Sequence, residues 1–219
     1  MLESADVSLE RRMWRGTALV TALTFIFFVA YVLLLDKGLT LVGWSKCVAG
    51  TSGMLLAYSL SLSTLGYYFN FLDSKVIYRK YLGLAGYFFA LLYCFLLLVI
   101  NPERYWYGFF ENFWSADFIL GLSAMAILTV MAAISADGAL RALGPVRWRA
   151  ILRLGYLAFF LLVLRGAILE GEMWHTWIVS GSGLPPVRLF LSVVAMFVIF
   201  FRVSIVFCEW RKKSGARAV

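Results

Sequence analysis

The chain contains 219 residues, of which 63% are hydrophobic and 15% are charged, and its formal net charge is +8. Soluble domains are roughly 45–50% apolar and roughly 25% charged. A water-soluble chain of this length could not bury so much apolar surface, whereas a lipid bilayer accepts it. The composition therefore excludes a soluble protein and predicts an integral membrane protein.

The apolar residues fall into six runs, each close to the roughly 20 residues that a helix needs to cross the hydrocarbon core. The runs lack the two-residue alternation of a membrane β-barrel, which favours an all-α protein. The predicted spans are 17–35, 48–70, 82–100, 117–136, 151–169 and 186–208. They form a six-helix transmembrane domain, 17–208, between an N-terminal segment 1–16 and a basic tail 209–219.

Basic residues are distributed unevenly between the two sides of the predicted spans. Three lie on one side, namely Lys37, Lys46 and Arg104. Fourteen lie on the other side: Arg11, Arg12, Arg15, Lys75, Arg79, Lys80, Arg141, Arg147, Arg149, Arg153, Arg211, Lys212, Lys213 and Arg217. Short cytoplasmic loops carry an excess of Lys and Arg, so both termini are predicted to be cytoplasmic. Because the basic residues are split among four segments beside the membrane, attraction to anionic lipid explains them. We expect no nucleic-acid partner.

Aromatic residues are concentrated on the side that has few basic residues. Segment 103–114 carries Tyr105, Trp106, Tyr107 and Trp114, and the predicted loop 170–186 carries Trp174 and Trp177. Tyr and Trp rings prefer the depth of the lipid headgroups, so these residues are predicted to be interfacial anchors. We expect segment 103–114 to lie along the membrane surface as a short amphipathic helix or turn. A recognition surface is the alternative interpretation.

The inventory of reactive side chains is small. The chain has one histidine, His175, in a predicted loop, and its three cysteines lie in or beside different spans. No cluster of Cys, His, Asp and Glu has the spacing of a metal site. One imidazole cannot supply a pair of histidine ligands to a membrane haem. The sequence therefore indicates no metal site and no catalytic residue.

Arg165 is predicted to lie inside the fifth span, four residues before its end at position 169. Charged residues in a bilayer usually face the interior of a helix bundle, where they pair. Glu170, Glu172 and Asp117 are predicted near the same boundary, so one interpretation is a buried ion pair. The other is that the long side chain reaches the headgroups. The residues alone leave both open.

Two stretches resemble signatures of a known family. Arg79 to Tyr93, RKYLGLAGYFFALLY, has a basic pair, LGL and an aromatic run. This order is similar to the third span of the ferric-reductase-like transmembrane superfamily, where a haem-ligand histidine follows. Leu143 to Arg165 is similar to the family pattern LG, then W-x-x-L-H-R-L-x-Y, leading to another histidine. The resemblance covers roughly residues 50–170 and is closest to the haem-binding membrane subunit of the bacterial methionine sulfoxide reductase system.

The resemblance implies haem-ligand histidines at three positions, where this chain has Tyr93, Leu152 and Arg165. Tyrosine ligates haem in some proteins, whereas leucine cannot ligate iron. We therefore predict that the chain binds no cofactor, with haem b as the alternative. In the former haem volume we expect a buried polar link formed by Tyr93, Arg165, Glu170 and Asp117.

Three function classes follow. We favour a haem-free, non-catalytic structural or accessory subunit of a larger membrane complex, bioenergetic or redox, in the bacterial cytoplasmic membrane. Its expected partners are the lipid bilayer and other membrane subunits. The second class is a transmembrane b-type haem electron-transfer subunit that works with a separate reductase. The third is a small transporter, for which broken helices or repeat symmetry are expected.

Reporter proteins fused to the two ends of the chain test the predicted orientation. A reporter that works only in the cytoplasm should be active at either terminus, because the basic residues hold both ends on that side. A periplasmic reporter fused after Val219 should be inactive. Activity of the periplasmic reporter at that position would contradict the predicted topology.

Overall fold

A computed structural model describes residues 2–68, 78–135, 139–181 and 183–215. These ranges contain no strand, and the all-helical prediction is confirmed for them. The helices are α1 (Leu2–Asp36), α2 (Leu41–Tyr68), α3 (Tyr78–Ile100), α4 (Phe109–Asn112), α5 (Ala116–Ile134), α6 (Ala139–Ser180) and α7 (Val187–Gly215). A π-helical turn, Glu103–Tyr107, precedes α4.

Five stretches of the described helices are long and apolar enough to cross a membrane, which makes the chain an integral membrane protein. They are Glu10–Asp36, Tyr78–Ile100, Ala116–Ile134, Ala150–Ser180 and Val187–Cys208. The second predicted span, 48–70, is not among them. It lies mostly in α2, which is richer in Ser, Thr and Gly than the five.

Several predicted boundaries differ from those of the helices. The segment 1–16 belongs to α1 from Leu2 onward, and the predicted tail 209–219 continues α7 to Gly215. Positions 69 and 70 of the second predicted span, position 136 of the fourth, and 216–219 of the tail lie outside the described residues.

The long helices run alternately between two ends of the bundle. The end where α3 begins, with Arg79 and Lys80, is called the basic end. The opposite end, which carries Glu103–Tyr107 and α4, is called the aromatic end. A salt bridge of 2.6 Å between Lys46 Nζ and Asp36 Oδ2 joins α2 to α1 at the aromatic end.

The helix α2 is held close to α3 by polar contacts. Ser52 Oγ donates a hydrogen bond of 2.8 Å to the main-chain oxygen of Gly86, and Ser59 Oγ donates one of 2.8 Å to that of Arg79. Gly86 permits the approach, because a Cβ atom there would lie 2.9 Å from Leu56 Cγ. Small residues and hydroxyl groups are typical of helix contacts in membranes. The small and hydroxyl-bearing residues of α2 therefore suit its close contacts with α1, α3 and α7.

The main apolar core lies between α2, α5, α6 and α7. Its alanines, one from each helix, allow close packing. They are Ala57, Ala124, Ala158 and Ala195, and each is at most 7% exposed. Many other large apolar side chains are exposed on the outside of the bundle, as expected of a protein whose solvent is lipid.

A second core joins α1 to α2 and α7. Phe28 is fully buried and its ring packs against Tyr31 and Phe190. The Tyr31 hydroxyl donates a hydrogen bond of 2.7 Å to the main-chain oxygen of Pro185, just before α7. On α2, Gly50 faces the Phe28 ring so closely that a Cβ atom would lie 2.6 Å from Phe28 Cε1.

The helix α6 is interrupted twice. Gly144 has φ of 73°, a left-handed conformation that favours glycine, and Glu170 has φ of −132° and ψ of 16°. The second break lies immediately after the predicted end of the fifth span. The prediction of a loop over 170–186 is wrong for residues up to Ser180, which are helical after the break. Between Glu170 and Gly181 the chain has no proline and no residue with a positive φ, so the helix continues to Ser180 and ends before Gly181, whose φ is 59°.

The contact between Gly50 and Phe28 predicts the effect of a substitution. Gly50→Val should destabilise the protein by about 1–3 kcal/mol, because the added atoms overlap the Phe28 ring and force α1 and α2 apart. The measurement is thermal unfolding in detergent. Gly171→Ala is the matched control, since nothing lies within 4 Å of a Cβ atom there. Equal melting temperatures for the two variants would show that the close approach is unimportant.

Candidate functional site

Two cavities lie between the pair α2 and α3 and the pair α5 and α6, one toward each end of the bundle. The cavity toward the aromatic end has a volume of about 160 Å³ and is also lined by α7. The cavity toward the basic end has a volume of about 420 Å³. Leu56, Leu128 and Phe159 line both cavities, so these three side chains separate them.

Arg188, in the first turn of α7, organises one side of the aromatic-end cavity. Its Nη1 atom donates a hydrogen bond of 2.9 Å to Glu170 Oε1, forming a salt bridge. Its Nη2 atom lies 3.5 Å from the Tyr93 hydroxyl oxygen, a long contact. Trp174 Nε1 lies 3.4 Å from Glu170 Oε2. These contacts join α3, α6 and α7 through one guanidinium group.

Arg165 lines the same cavity and binds to α5. Its Nε atom donates a hydrogen bond of 3.0 Å to the main-chain oxygen of Asp117. The side chain passes over Gly121, where a Cβ atom would lie 2.9 Å from Arg165 Nε. The Asp117 carboxylate instead accepts a hydrogen bond of 2.8 Å from Arg104 Nη2. Arg165 thus faces the bundle interior, and among the described side chains it forms no ion pair with Glu170, Glu172 or Asp117.

The structure divides the four residues of the predicted buried polar link into two groups. Tyr93 and Glu170 meet at Arg188, whereas Arg165 and Asp117 meet through a main-chain oxygen. Sequence reasoning missed Arg188 and Arg104. A signal for Arg188 is present, because a cation in the first turn of a helix is opposed by the helix dipole. A carboxylate such as that of Glu170 offsets this unfavourable interaction.

The basic-end cavity has a polar side and an apolar side. Arg79, Lys80, Ser135 and Trp148 line it near the basic end. The Trp148 indole Nε1 lies 3.3 Å from the main-chain oxygen of Ile134. The remaining lining is mostly apolar and includes Leu152. The cavity can therefore accommodate a ligand that is polar at one end and apolar at the other.

The three positions that resemble haem-ligand positions are distributed between the two cavities. Tyr93 and Arg165 line the aromatic-end cavity, and Leu152 lines the basic-end cavity. His175 is exposed in the helical segment after Glu170 and lines neither. Because no imidazole faces these spaces, their lining does not fit a haem held by paired histidines. Within the described ranges, no group of three or more His, Cys, Asp or Glu side chains could hold a metal ion.

The aromatic segment docks on α5 by one of its faces. The Tyr105 ring stacks on Phe118 with centroids 5.9 Å apart, and Phe109 packs edge-on against the same ring. Trp106, Tyr107 and Trp114 point outward and are 68%, 79% and 79% exposed. The segment consists of short helical pieces, as predicted, and its place at the membrane surface stays a prediction.

The other two predicted interfacial anchors lie at the end of α6. Trp174 and Trp177 are both half-buried. The Trp177 Nε1 atom lies 3.3 Å from the main-chain oxygen of Gly183, so this ring is held against the connection to α7. Neither ring projects from the bundle as far as Trp106 and Trp114 do.

No protein-family model matches this chain, and no curated protein matches it. The resemblance to the ferric-reductase-like superfamily therefore depends on the quoted stretches and stays a prediction.

The ion pair of Arg104 and Asp117 predicts an asymmetric response to substitution. The Asp117 side chain is 7% exposed and that of Arg104 is 42% exposed. Arg104→Gln should cost about 3 kcal/mol, because it leaves a buried carboxylate unpaired. Asp117→Asn should cost about 1 kcal/mol, because the freed guanidinium reaches water. The measurement is thermal unfolding in detergent.

The double variant provides the internal control for this asymmetry. It should recover most of the loss caused by Arg104→Gln, because the unpaired carboxylate is then absent. Additive losses in the double variant would show that the two side chains contribute independently.

Proposed function

We propose that this chain is a haem-free, non-catalytic membrane subunit that resembles the ferric-reductase-like superfamily and serves a larger complex, bioenergetic or redox, of the bacterial cytoplasmic membrane. The observation that carries the proposal is the lining of the two cavities. All three positions that resemble haem-ligand positions face these cavities, and none of them is histidine. The helix arrangement would thus be kept after the ligands were lost.

The proposed topology has six spans, namely the five named above and α2, which is the second in chain order. With 28 residues, α2 is about 42 Å long, more than the roughly 30 Å of hydrocarbon. It meets α1 at the aromatic end, through Lys46 and Asp36, and α3 at the basic end, through Ser59 and Arg79. An even number of spans places both termini on one side. The distribution of basic residues favours the cytoplasmic side.

A contribution to assembly is supported by the outward aromatic surface, defined as Trp106, Tyr107, Phe110 and Trp114. Each of these side chains is at least 68% exposed, so the chain itself leaves most of this surface uncovered. Aromatic residues are enriched both at membrane interfaces and in contacts between proteins. A partner subunit at the aromatic end would bury this surface together with lipid headgroups.

A haem assay separates the proposal from the electron-transfer alternative. The protein should be purified from cells supplied with a haem precursor and assayed as the pyridine haemochrome. We expect far less than one haem per chain, because Tyr93, Leu152 and Arg165 offer no histidine ligand. About one haem per chain would support a b-type electron carrier instead.

Co-purification tests the accessory role separately. Extraction of native membranes with a mild detergent should give the chain in a complex with other membrane subunits. Replacing Trp106 and Trp114 by Ser should weaken that complex, whereas replacing the exposed lipid-side residues Phe197 and Phe200 by Leu should not. Isolation of the unmodified chain by itself under these conditions would contradict the proposed role.

A further inference from the structure

We propose that the basic-end cavity binds one anionic phospholipid, with an acyl chain inside the cavity and the headgroup phosphate at Arg79. The proposal does not depend on the partner complex, and it requires that no haem occupies this cavity. The first observation that supports this proposal is the volume of the cavity. Pockets that take small ligands have volumes of roughly 300–1,000 Å³. The volume of about 420 Å³ lies in this range, whereas that of the other cavity does not.

The polarity of the cavity changes along the bundle axis in the way that a lipid requires. Arg79 lies in the first turn of α3, and Ser135 follows the last residue of α5, so both mark the basic end. Leu56, Leu128 and Phe159 form the opposite end of the cavity, deeper in the bundle. The charged headgroup would therefore lie beside polar groups at the basic end, and the acyl chain would lie among apolar side chains deeper in the bundle.

The electrostatic environment of Arg79 favours an anion. Arg79 interacts electrostatically with Tyr156 of α6 and with Arg202 of α7. The Arg202 guanidinium lies over the Tyr156 ring, with Cζ 5.9 Å from its centroid. Among the described side chains, the salt bridges belong to Lys46, Arg104 and Arg188, and neither Arg79 nor Arg202 forms one.

Two guanidinium groups repel each other in surroundings of low polarity, and an anion beside Arg79 offsets that repulsion. A phosphate suits the planar guanidinium fork, which binds it through two parallel hydrogen bonds. Basic pockets between transmembrane helices bind anionic lipid headgroups in this way. In the proposed orientation, the basic end faces the cytoplasmic leaflet, which carries the anionic lipids.

A lateral path from the bilayer lies between α3 and α5. The helices α3 and α5 pack less closely than α2 and α3 do, which leaves a gap between them. Residues of both α3 and α5 line the cavity behind this gap. A hydrogen bond of 3.2 Å from the Tyr87 hydroxyl to Thr129 Oγ1 crosses the gap on the exposed side. An acyl chain entering on the basic side of this bond would reach the cavity without passing through water.

Native mass spectrometry of the delipidated full chain tests the proposal. The probes are dioleoylphosphatidylglycerol, which is anionic, and dioleoylphosphatidylcholine, which is neutral. We expect one bound phosphatidylglycerol, with an affinity at least about tenfold above that for phosphatidylcholine. Arg79→Gln should lower that affinity about tenfold, the loss expected for a charge-assisted hydrogen bond. Arg12→Gln, which removes an exposed cation at the same end, should leave it unchanged.

A second pair of variants tests whether the acyl chain occupies the cavity. Ala132 lines the cavity, whereas the adjacent Ala133 is exposed. Ala132→Leu should weaken binding of phosphatidylglycerol several-fold by filling the space, and Ala133→Leu adds the same atoms outside and should have no effect. Arg79→Lys, which keeps the charge, should bind better than Arg79→Gln. Melting temperatures identify any variant that is unfolded, and the alanine pair remains decisive if Arg79→Gln does not fold.

Free anions distinguish a lipid from a simple phosphate site. Neither inorganic phosphate nor glycerol 3-phosphate should displace the bound lipid at millimolar concentration, because neither fills the cavity. Equal affinity for the two lipids, full binding to Ala132→Leu, displacement by free phosphate, or a haem mass retained in place of lipid would each overturn the proposal.

Discussion

The close contact between α2 and α3 is the interaction on which the rest of the structure depends. The hydrocarbon core of a bilayer offers no hydrogen-bond partners, so a hydroxyl group inside it is stabilised by a bond to a neighbouring helix. Ser52 and Ser59 form such bonds by donating to main-chain oxygens of α3, which brings the two helices together along their length. Because α3 is held to α2 in this way, it stays apart from α5. The space left between the helix pairs becomes the two cavities.

Small residues keep that space open, and large side chains divide it. Gly83 and Gly86 of α3 face α2, where Cβ atoms would lie 2.9 Å from Ser59 Oγ and from Leu56 Cγ. On the other side of the cavities, Gly155 faces Met131, where a Cβ atom would lie 2.9 Å from Met131 Cε. Glycine on these faces allows the pairs to pack tightly without side chains that would fill the gap between them. The large side chains of Leu56, Leu128 and Phe159 then divide the gap into the aromatic-end cavity and the basic-end cavity.

Charge is treated differently at the two ends of the bundle. At the aromatic end, Arg104 and Arg188 form salt bridges with carboxylates of neighbouring helices, and Arg165 bonds to a main-chain oxygen. At the basic end, Arg79 and Arg202 have no salt bridge within the part of the chain that the structure describes. Paired charges stabilise contacts between helices, whereas charges without such partners attract anions from outside. The first end is therefore suited to holding the fold and the second to binding.

The sequence by itself determined the helical, membrane-embedded character of the chain, the approximate positions of its apolar helices, and the separation of basic from aromatic residues. These properties depend on local composition, since a helix satisfies its own main-chain hydrogen bonds and needs only apolar side chains to enter lipid. The short helical pieces around Tyr105 and Phe109 could be predicted for the same reason. The high content of Ser, Thr and Gly in α2 could be read from the sequence, but the position of α2 among α1, α3 and α7 could not.

Only the tertiary structure decided which charged groups meet. The sequence places Arg165, Glu170 and Asp117 near one boundary, but it does not give the rotation of each helix about its axis. The break at Glu170 and the start of α7 bring Arg188 to Glu170 and Tyr93, while Gly121 directs Arg165 to the main chain of α5. Such contacts require residues distant in sequence to share both a depth and a direction. Spacing along one helix fixes the depth, and only the packing of several helices fixes the direction.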